Sequence, residues 1–496
     1  MDTPAPSPAH PASGWPRPVL LLVAVLVAGY GVFLFRHISP HAGGSDSSGY
    51  FNSARLFSRG EFQTRPRILS GHTATEFGRM AYQPLGFIMH EDNRMAPTYP
   101  TGLPLLMLVA VGLTGWAHPV EAVNLFTALA CGGLFYALAR RLGLGVALAF
   151  AGLVLMWLCP LFLFVAFQPL SDLPALGCAL AVLYSALRIT EGRGWALACG
   201  AVISLAVLLR PTNVLLVLPV LVAAGWRPRD LLLVAVGGLP GALFFGYYNW
   251  RVYGGPLTTG YGEVWTEFSP EFLAHNLAHF AYWIPVLLSP VVVLALAAPF
   301  LRSLRRRDTL SLALWFVLLA GLYSFYFHSG EKWWYLRFIL PAFPVLILAS
   351  LFVLQALWSR PRPAWLSAAL IGLLLALTGW WQIRQTRQLD LLDTEAGERT
   401  YPDAARWAQQ NLPGNSAVFS LQVSGAFYYY TDFLLLRWDQ FLFEKRDALL
   451  AALADEQRPV YAALFPFETP QALERIGGQW TKLATVGQVT FWRRQP

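Results

Sequence analysis

The feature that most constrains this chain is a succession of apolar stretches, each approaching or exceeding the length that crosses a hydrocarbon core of roughly 30 Å. The first is Val19 to Phe35, and the others lie near 119–139, 145–167, 173–188, 195–210, 211–226, 231–250, 281–300, 309–327, 337–357 and 364–381. With 56% hydrophobic and 13% charged residues, the chain reads as a polytopic α-helical membrane protein, and a soluble fold is excluded. No small-x-small cleavage site follows Phe35, so the first stretch reads as an uncleaved span. A Pro-, Ala- and Ser-rich tail over residues 1–18 precedes it and is expected to be disordered and cytoplasmic.

Topology turns on one further run, Leu103 to Trp116, which is only about 14 residues long. If it does not cross, Arg140-Arg141, Arg188 with Arg193, Arg227 with Arg229, Arg302 with Arg305-Arg306-Arg307, and Arg360 with Arg362 all share the side of the N-terminus. That side is then cytoplasmic, as the positive-inside rule requires. The expectation is therefore about eleven transmembrane helices plus a half-span or interfacial helix, with the N-terminus inside and the C-terminus outside. The weakest division is at Arg210-Pro-Thr-Asn213, which splits one long apolar run into two short spans.

The net charge of +8 is distributed among these connectors, so it reports topology and not nucleic-acid binding. Only Lys332, Lys445 and Lys482 among the 36 basic residues are lysines. This arginine bias is in keeping with a GC-rich bacterial genome and hence the bacterial cytoplasmic (inner) membrane. Cys131, Cys159, Cys178 and Cys199 lie in apolar runs without metal or disulfide spacing.

After Trp381 the composition becomes that of a soluble domain. Helices are expected at Pro402–Asn411, Asp447–Asp455 and Pro470–Ile476, and strands at Ala417–Leu421, Val460–Phe465 and across Thr481–Trp492. The chain divides into the tail 1–18, a membrane domain 19–383 containing a long first outer loop 36–100, and a small extracytoplasmic α/β domain 384–496.

The outer connectors carry most of the loop carboxylates and histidines. In the first, Asp46 precedes Tyr50-Phe-Asn-Ser-Ala-Arg-Leu-Phe57, a pattern that predicts a short helix lying in the interface plane, with Asp46, Ser47 or Ser48 as its N-cap. Asp172 and the group Glu331, Lys332 and Arg337 stand in two other outer loops. Ionisable groups at the rim of a bundle are costly unless they face water or a ligand, so a shared cavity is the functional reading and unrelated interfacial loops the bland one. Arg337 opens Phe-Ile-Leu-Pro341, and its guanidinium suits a lipid-linked phosphate as well as it suits snorkelling. Glu91 and Asp92 are weak candidates for a metal. Glu271, His275 and His279 share a helical face, but no third strong ligand follows them.

These residues carry a family resemblance. The ordered set comprises Asp46 with Gly49-Tyr50 and Ala54, then Tyr99-Pro100-Thr-Gly-Leu-Pro104-Leu and Ala139-Arg-Arg-Leu142. It continues with Pro169-Leu-Ser-Asp172, Leu209-Arg-Pro211, Asn249 to Gly260-Tyr261-Gly262, and Arg337-Phe-Ile-Leu-Pro-Ala-Phe-Pro344. The set resembles C-type (GT-C) membrane glycosyltransferases of the bacterial protein-mannosyltransferase-like group, relatives of protein O-mannosyltransferases and lipid A aminoarabinose transferases. Asp46 is followed by serine where many members carry an acidic pair.

The resemblance implies a polyprenyl-phosphate-sugar donor and inverting transfer, on the non-cytoplasmic face, to a lipid, glycan or protein acceptor. It casts Asp46 as the general base and Asp172 as a second cavity carboxylate. Arg337, Lys332 and more faintly Arg210 become ligands of the donor phosphate, with Glu331, Tyr50, Tyr99 and Tyr261 as further cavity residues. No cofactor is required, and a divalent cation is compatible. The competing function is a transporter or flippase of lipid-linked sugar, which would favour mid-membrane charges and internal repeats.

Overall fold

The computed structural model describes residues 17–301, 304, 306–358 and 364–495. The tail over residues 1–16 and the topogenic Arg302, Arg305, Arg360 and Arg362 lie outside the described residues.

The membrane part is a helical bundle. Pro119–Arg141, Pro228–Tyr253 and Leu340–Trp358 are each long and apolar enough to cross a membrane, and two bent pairs raise that number to five among the described residues. The other expected spans include shorter apolar helices such as Asp172–Ala186 and Arg193–Leu209. Asp172–Ala186 is buried along almost its whole length and packs between its neighbours as the centre of the bundle.

Glycines set the closest crossing. A Cβ on Gly200 would stand 1.9 Å from the Val234 carbonyl, and one on Gly237 2.1 Å from that of Leu197. The helices Arg193–Leu209 and Pro228–Tyr253 thus meet backbone to backbone, as small residues permit between apolar helices.

Two expected straight spans are broken. The 145–167 stretch bends by 59° between Val146–Leu158 and Pro160–Ala166, and the 281–300 stretch by 109° between Pro270–Leu288 and Pro290–Phe300. Pro160 and Pro290 supply no backbone N–H to continue the helix, and Ser289 turns at φ 76. The 103–116 run forms Gly102–Thr114, whose 13 residues rise only ~20 Å, short of a ~30 Å core.

In the C-terminal domain the expected helices and strands are present within a residue or two. The sheet runs in the order Leu434–Leu436, Ala417–Phe419, Val460–Leu464, Val489–Arg494, Trp480–Val486. Its first three strands are parallel and its last two antiparallel to their neighbours. The helix Ser424–Tyr430 and strand Leu434–Leu436 were not anticipated. Three consecutive leucines, all buried, give no period-two alternation to read.

The first loop corrects a local expectation. Ser45–Ser58 is a helix, but Ser47 to Ala54 are all buried, so it does not lie on the membrane surface. Its polar face, expected in water, docks on the C-terminal domain: Asn52 donates to the Gly425 carbonyl at 3.1 Å, and Arg55 donates to that of Tyr429 and lies 3.6 Å over its ring. Leu56, Leu69, Phe77, Phe87 and Met95 of the loop share one apolar core with Phe419, Leu436 and Phe441 of the domain. The loop and the domain are packed as one body.

Candidate functional site

The site forms where the first-loop helix meets the ends of several bundle helices. Gly44 is the N-cap of Ser45–Ser58 and makes no side-chain bond, so none of Asp46, Ser47 and Ser48 has the capping role expected of it. Asp46 lies in the first turn, where the helix dipole favours an anion. Its carboxylate accepts a 2.6 Å hydrogen bond from Arg337. Arg337 is held by a short 3₁₀ segment, Trp333–Phe338, immediately before the buried Leu340–Trp358 span.

A second ion pair stands beside the first. Asp172, in the first turn of Asp172–Ala186, pairs with Arg210, which ends Arg193–Leu209. The two guanidinium carbons lie 5.0 and 5.4 Å from the centre of one ring, that of Phe338. The arginines therefore flank a shared aromatic platform. Side-chain exposure separates the pairs: Asp172 is 4% and Arg210 13% exposed, against 30% for Asp46 and 14% for Arg337.

Tyrosines close the cluster. Tyr50 donates to Ser171 at 2.9 Å, and Tyr99 shares a 2.7 Å hydrogen bond with Ser45. The Tyr99 ring lies 5.2 Å from that of Tyr50 and 6.2 Å from that of Tyr261. Tyr323 reaches Arg210 at 3.4 Å and Thr212 at 3.2 Å. Burial pushes the Asp46 carboxyl up, but the Arg337 charge and hydrogen bonds from Tyr99 and Arg337 outweigh it and hold Asp46 below the usual carboxylate range.

The structure therefore brings together Asp46, Asp172, Arg210, Arg337, Tyr50, Tyr99 and Tyr261 from five separate segments. Glu331 and Lys332 are exposed, and Glu331 pairs with His328 at 2.9 Å, so neither joins the paired charges. Glu91 and Asp92 sit at the tip of the hairpin between Phe87–Met89 and Met95–Pro97, where Asp92 accepts from the Arg94 amide. His275 bonds the Gly330 carbonyl at 3.0 Å. Among the described residues no three His, Cys, Asp or Glu side chains gather as a metal site. Sequence reasoning missed Ser171, Tyr323 and Phe338. Ser171 and Phe338 are direct neighbours of chosen residues, whereas nothing about Tyr323 in sequence marks it.

A groove of about 590 Å³ opens beside the cluster, lined by Arg79, Met80, Gln83, Phe87, Ile88, Met89, Thr98 and Gly260. Thr98 and Gly260 on its wall are the chain neighbours of Tyr99 and Tyr261.

No family model and no curated protein matches this sequence. Solved structures do match in fold. ArnT from Cupriavidus metallidurans, bound to undecaprenyl phosphate, superposes with a TM-score of 0.63 at 16% identity, covering 98% of this chain and 100% of that one. An oligosaccharyltransferase from Archaeoglobus fulgidus, tethered with an acceptor peptide, gives 0.56 at 13% identity over 97% of this chain and 74% of that one. The chain has the GT-C fold. The arabinofuranosyltransferase AftD from Mycobacteria matches 97% of this chain with 40% of its own length, at a TM-score of 0.52 and 15% identity. The GT-C fold is thus matched over 97–98% of this chain.

Proposed function

We propose that this protein transfers a sugar from a polyprenyl-phosphate donor to an acceptor on the outer face of a bacterial cytoplasmic membrane. The observation that carries the reading is the juxtaposition of two carboxylate–arginine pairs on one aromatic platform, between the bundle and the C-terminal domain, within a GT-C fold.

The reaction is a single displacement. An acceptor hydroxyl attacks the anomeric carbon and its proton passes to Asp46. The bond from that carbon to the phosphate oxygen breaks, and its electron pair leaves with the polyprenyl phosphate. A positioned carboxylate base contributes roughly 10²–10⁴-fold. Arg337 and Arg210 stabilise the charge gained by the leaving phosphate, since guanidinium forks match phosphate oxygens and a water-poor site strengthens them. Asp172 fixes Arg210. The groove walled by Thr98 and Gly260, next in the chain to Tyr99 and Tyr261, admits the acceptor.

The reading takes eleven crossings, a cytoplasmic N-terminus, and acceptor selection by the outer domain over 384–496. It routes no step through a cofactor.

The test is transfer of labelled sugar from a polyprenyl-phosphate pool in membranes, with and without chelator, by wild type and Asp46→Asn at matched protein levels. Transfer by wild type that falls at least ~10²-fold in Asp46→Asn supports the reading. Transfer that survives the substitution moves the base elsewhere, and no transfer with any donor removes the reading.

A further inference from the structure

As the structure stands, Asp46 is a poor base, because Arg337 occupies the carboxylate that must accept the proton. We propose that Arg337 is a travelling cation, passed from Asp46 to the leaving phosphate as the proton moves onto Asp46. The inference rests on the transferase reading above and assigns an order of events to the same site.

Charge bookkeeping makes the exchange natural. Before reaction the site holds two arginines, two carboxylates and a phosphodiester, with a total of about −1. Afterwards Asp46 is neutral, Asp172 is still charged and the departing phosphate monoester carries two negative charges, so the sum is unchanged. What moves is the position of the anion, from Asp46 to the phosphate. A protonated carboxyl holds a guanidinium far less strongly than a carboxylate does. Proton arrival at Asp46 therefore releases Arg337 when the leaving group needs it most.

The geometry distinguishes Arg337 from Arg210. Arg337 bonds Asp46 through one terminal nitrogen at 2.6 Å, while its Nε is buried and has no hydrogen-bond partner. It thus has a donor left unused inside the site. The Asp46 pair is the open one, with 30% of the carboxylate side chain exposed, whereas Asp172 at 4% is enclosed with its arginine. Phe338 provides a common surface along which the Arg337 fork pivots without losing its ring contact.

The experiment measures binding of undecaprenyl phosphate, a mimic of the leaving group, to purified full-length protein in nanodiscs. Asp46→Asn and Asp46→Ser imitate the proton-bearing or absent carboxylate, and either serves if the other folds poorly. The control is Glu398→Gln, with all variants measured at about pH 8.5 so that wild-type Glu398 is ionised; it removes a charge that acts on Asp46 electrostatically and that, among the described residues, has no ion pair with Arg337. The expected result is binding tightened about tenfold in the Asp46 variants and less than about twofold in Glu398→Gln. Binding that is unchanged or weaker in the Asp46 variants overturns the exchange, because Arg337 would then keep Asp46 while it holds phosphate. Equal tightening in Glu398→Gln also overturns it, reducing the effect to bulk repulsion. Failure of the wild type itself to bind the lipid counts against the transferase reading and is thereby told apart.

Discussion

Removing Asp172 tests the buried half of the site by its stability. Asp172 is 4% and Arg210 13% exposed, so solvent screens this pair little. In Asp172→Ala the guanidinium would keep the 3.4 Å hydrogen bond to the Tyr323 hydroxyl and its place over the Phe338 ring, and no anionic partner among the described residues. Breaking a buried pair from one side costs about 3–5 kcal/mol, whereas replacing both partners by apolar groups is often neutral. With Tyr323 and Phe338 already beside Arg210, about 3 kcal/mol is expected for Asp172→Ala. Asp172→Asn keeps an acceptor oxygen and recovers about half of that, since a hydrogen bond to a charged donor is worth about 1.5–3 kcal/mol. The double variant Asp172→Ala/Arg210→Met should be more stable than Asp172→Ala alone. The assay is denaturant unfolding in detergent for the four members of the cycle plus Asp172→Asn. A double variant that is less stable than Asp172→Ala would refute the argument, because Arg210 would then be held by something other than Asp172.

The acid limb of kcat/KM reports Asp46 in the free enzyme and should lie below the ordinary carboxylate range. Arg337→Ala removes the largest lowering influence and leaves burial opposed only by the Tyr99 hydrogen bond and the Arg210 charge, so the limb should move to higher pH, and an unmoved limb would mean that another group titrates. Glu398 is raised by burial, to about 7. A carboxyl with a raised folded pKa favours folding below its unfolded value near 4.5 and loses that contribution as pH rises through 7. Glu398→Gln should accordingly gain thermal stability over wild type at pH 8 and not at pH 5, as read by unfolding at the two pH values. Gly425 sits where a Cβ would meet Ser48 Oγ at 2.3 Å and the Leu85 carbonyl at 2.6 Å. Gly425→Ala should loosen the first loop from the domain, costing about 1–3 kcal/mol and exposing the loop to limited proteolysis. A cleavage pattern identical to wild type would show that the contact yields without cost.

Sequence reasoning reached furthest where a signal is local. Apolar run length marked the bundle, and periodicity marked most of the C-terminal helices and strands. It also named both carboxylates and both arginines of the cluster, Arg210 only through the family resemblance. It failed where a residue's role depends on a partner far along the chain. The Asp46 helix, expected in the membrane interface plane, instead makes an interface with residues 424–430 through Asn52 and Arg55. Lys332 and Glu331, so close to Arg337 in sequence, are turned outward, with Glu331 on His328.

By itself, then, the sequence determined that this chain is a membrane bundle with an appended sheet domain, because burial of apolar length leaves no other solution. The tertiary structure alone decided which cation holds which anion, with Arg337 on Asp46 and Arg210 on Asp172. Those partners come from segments 291 and 38 residues apart, and no local pattern encodes a separation of that kind. Only packing of the first-loop helix against the bundle, with Tyr50 on Ser171, brings Asp46 to Arg337, and with it the chemistry of the site.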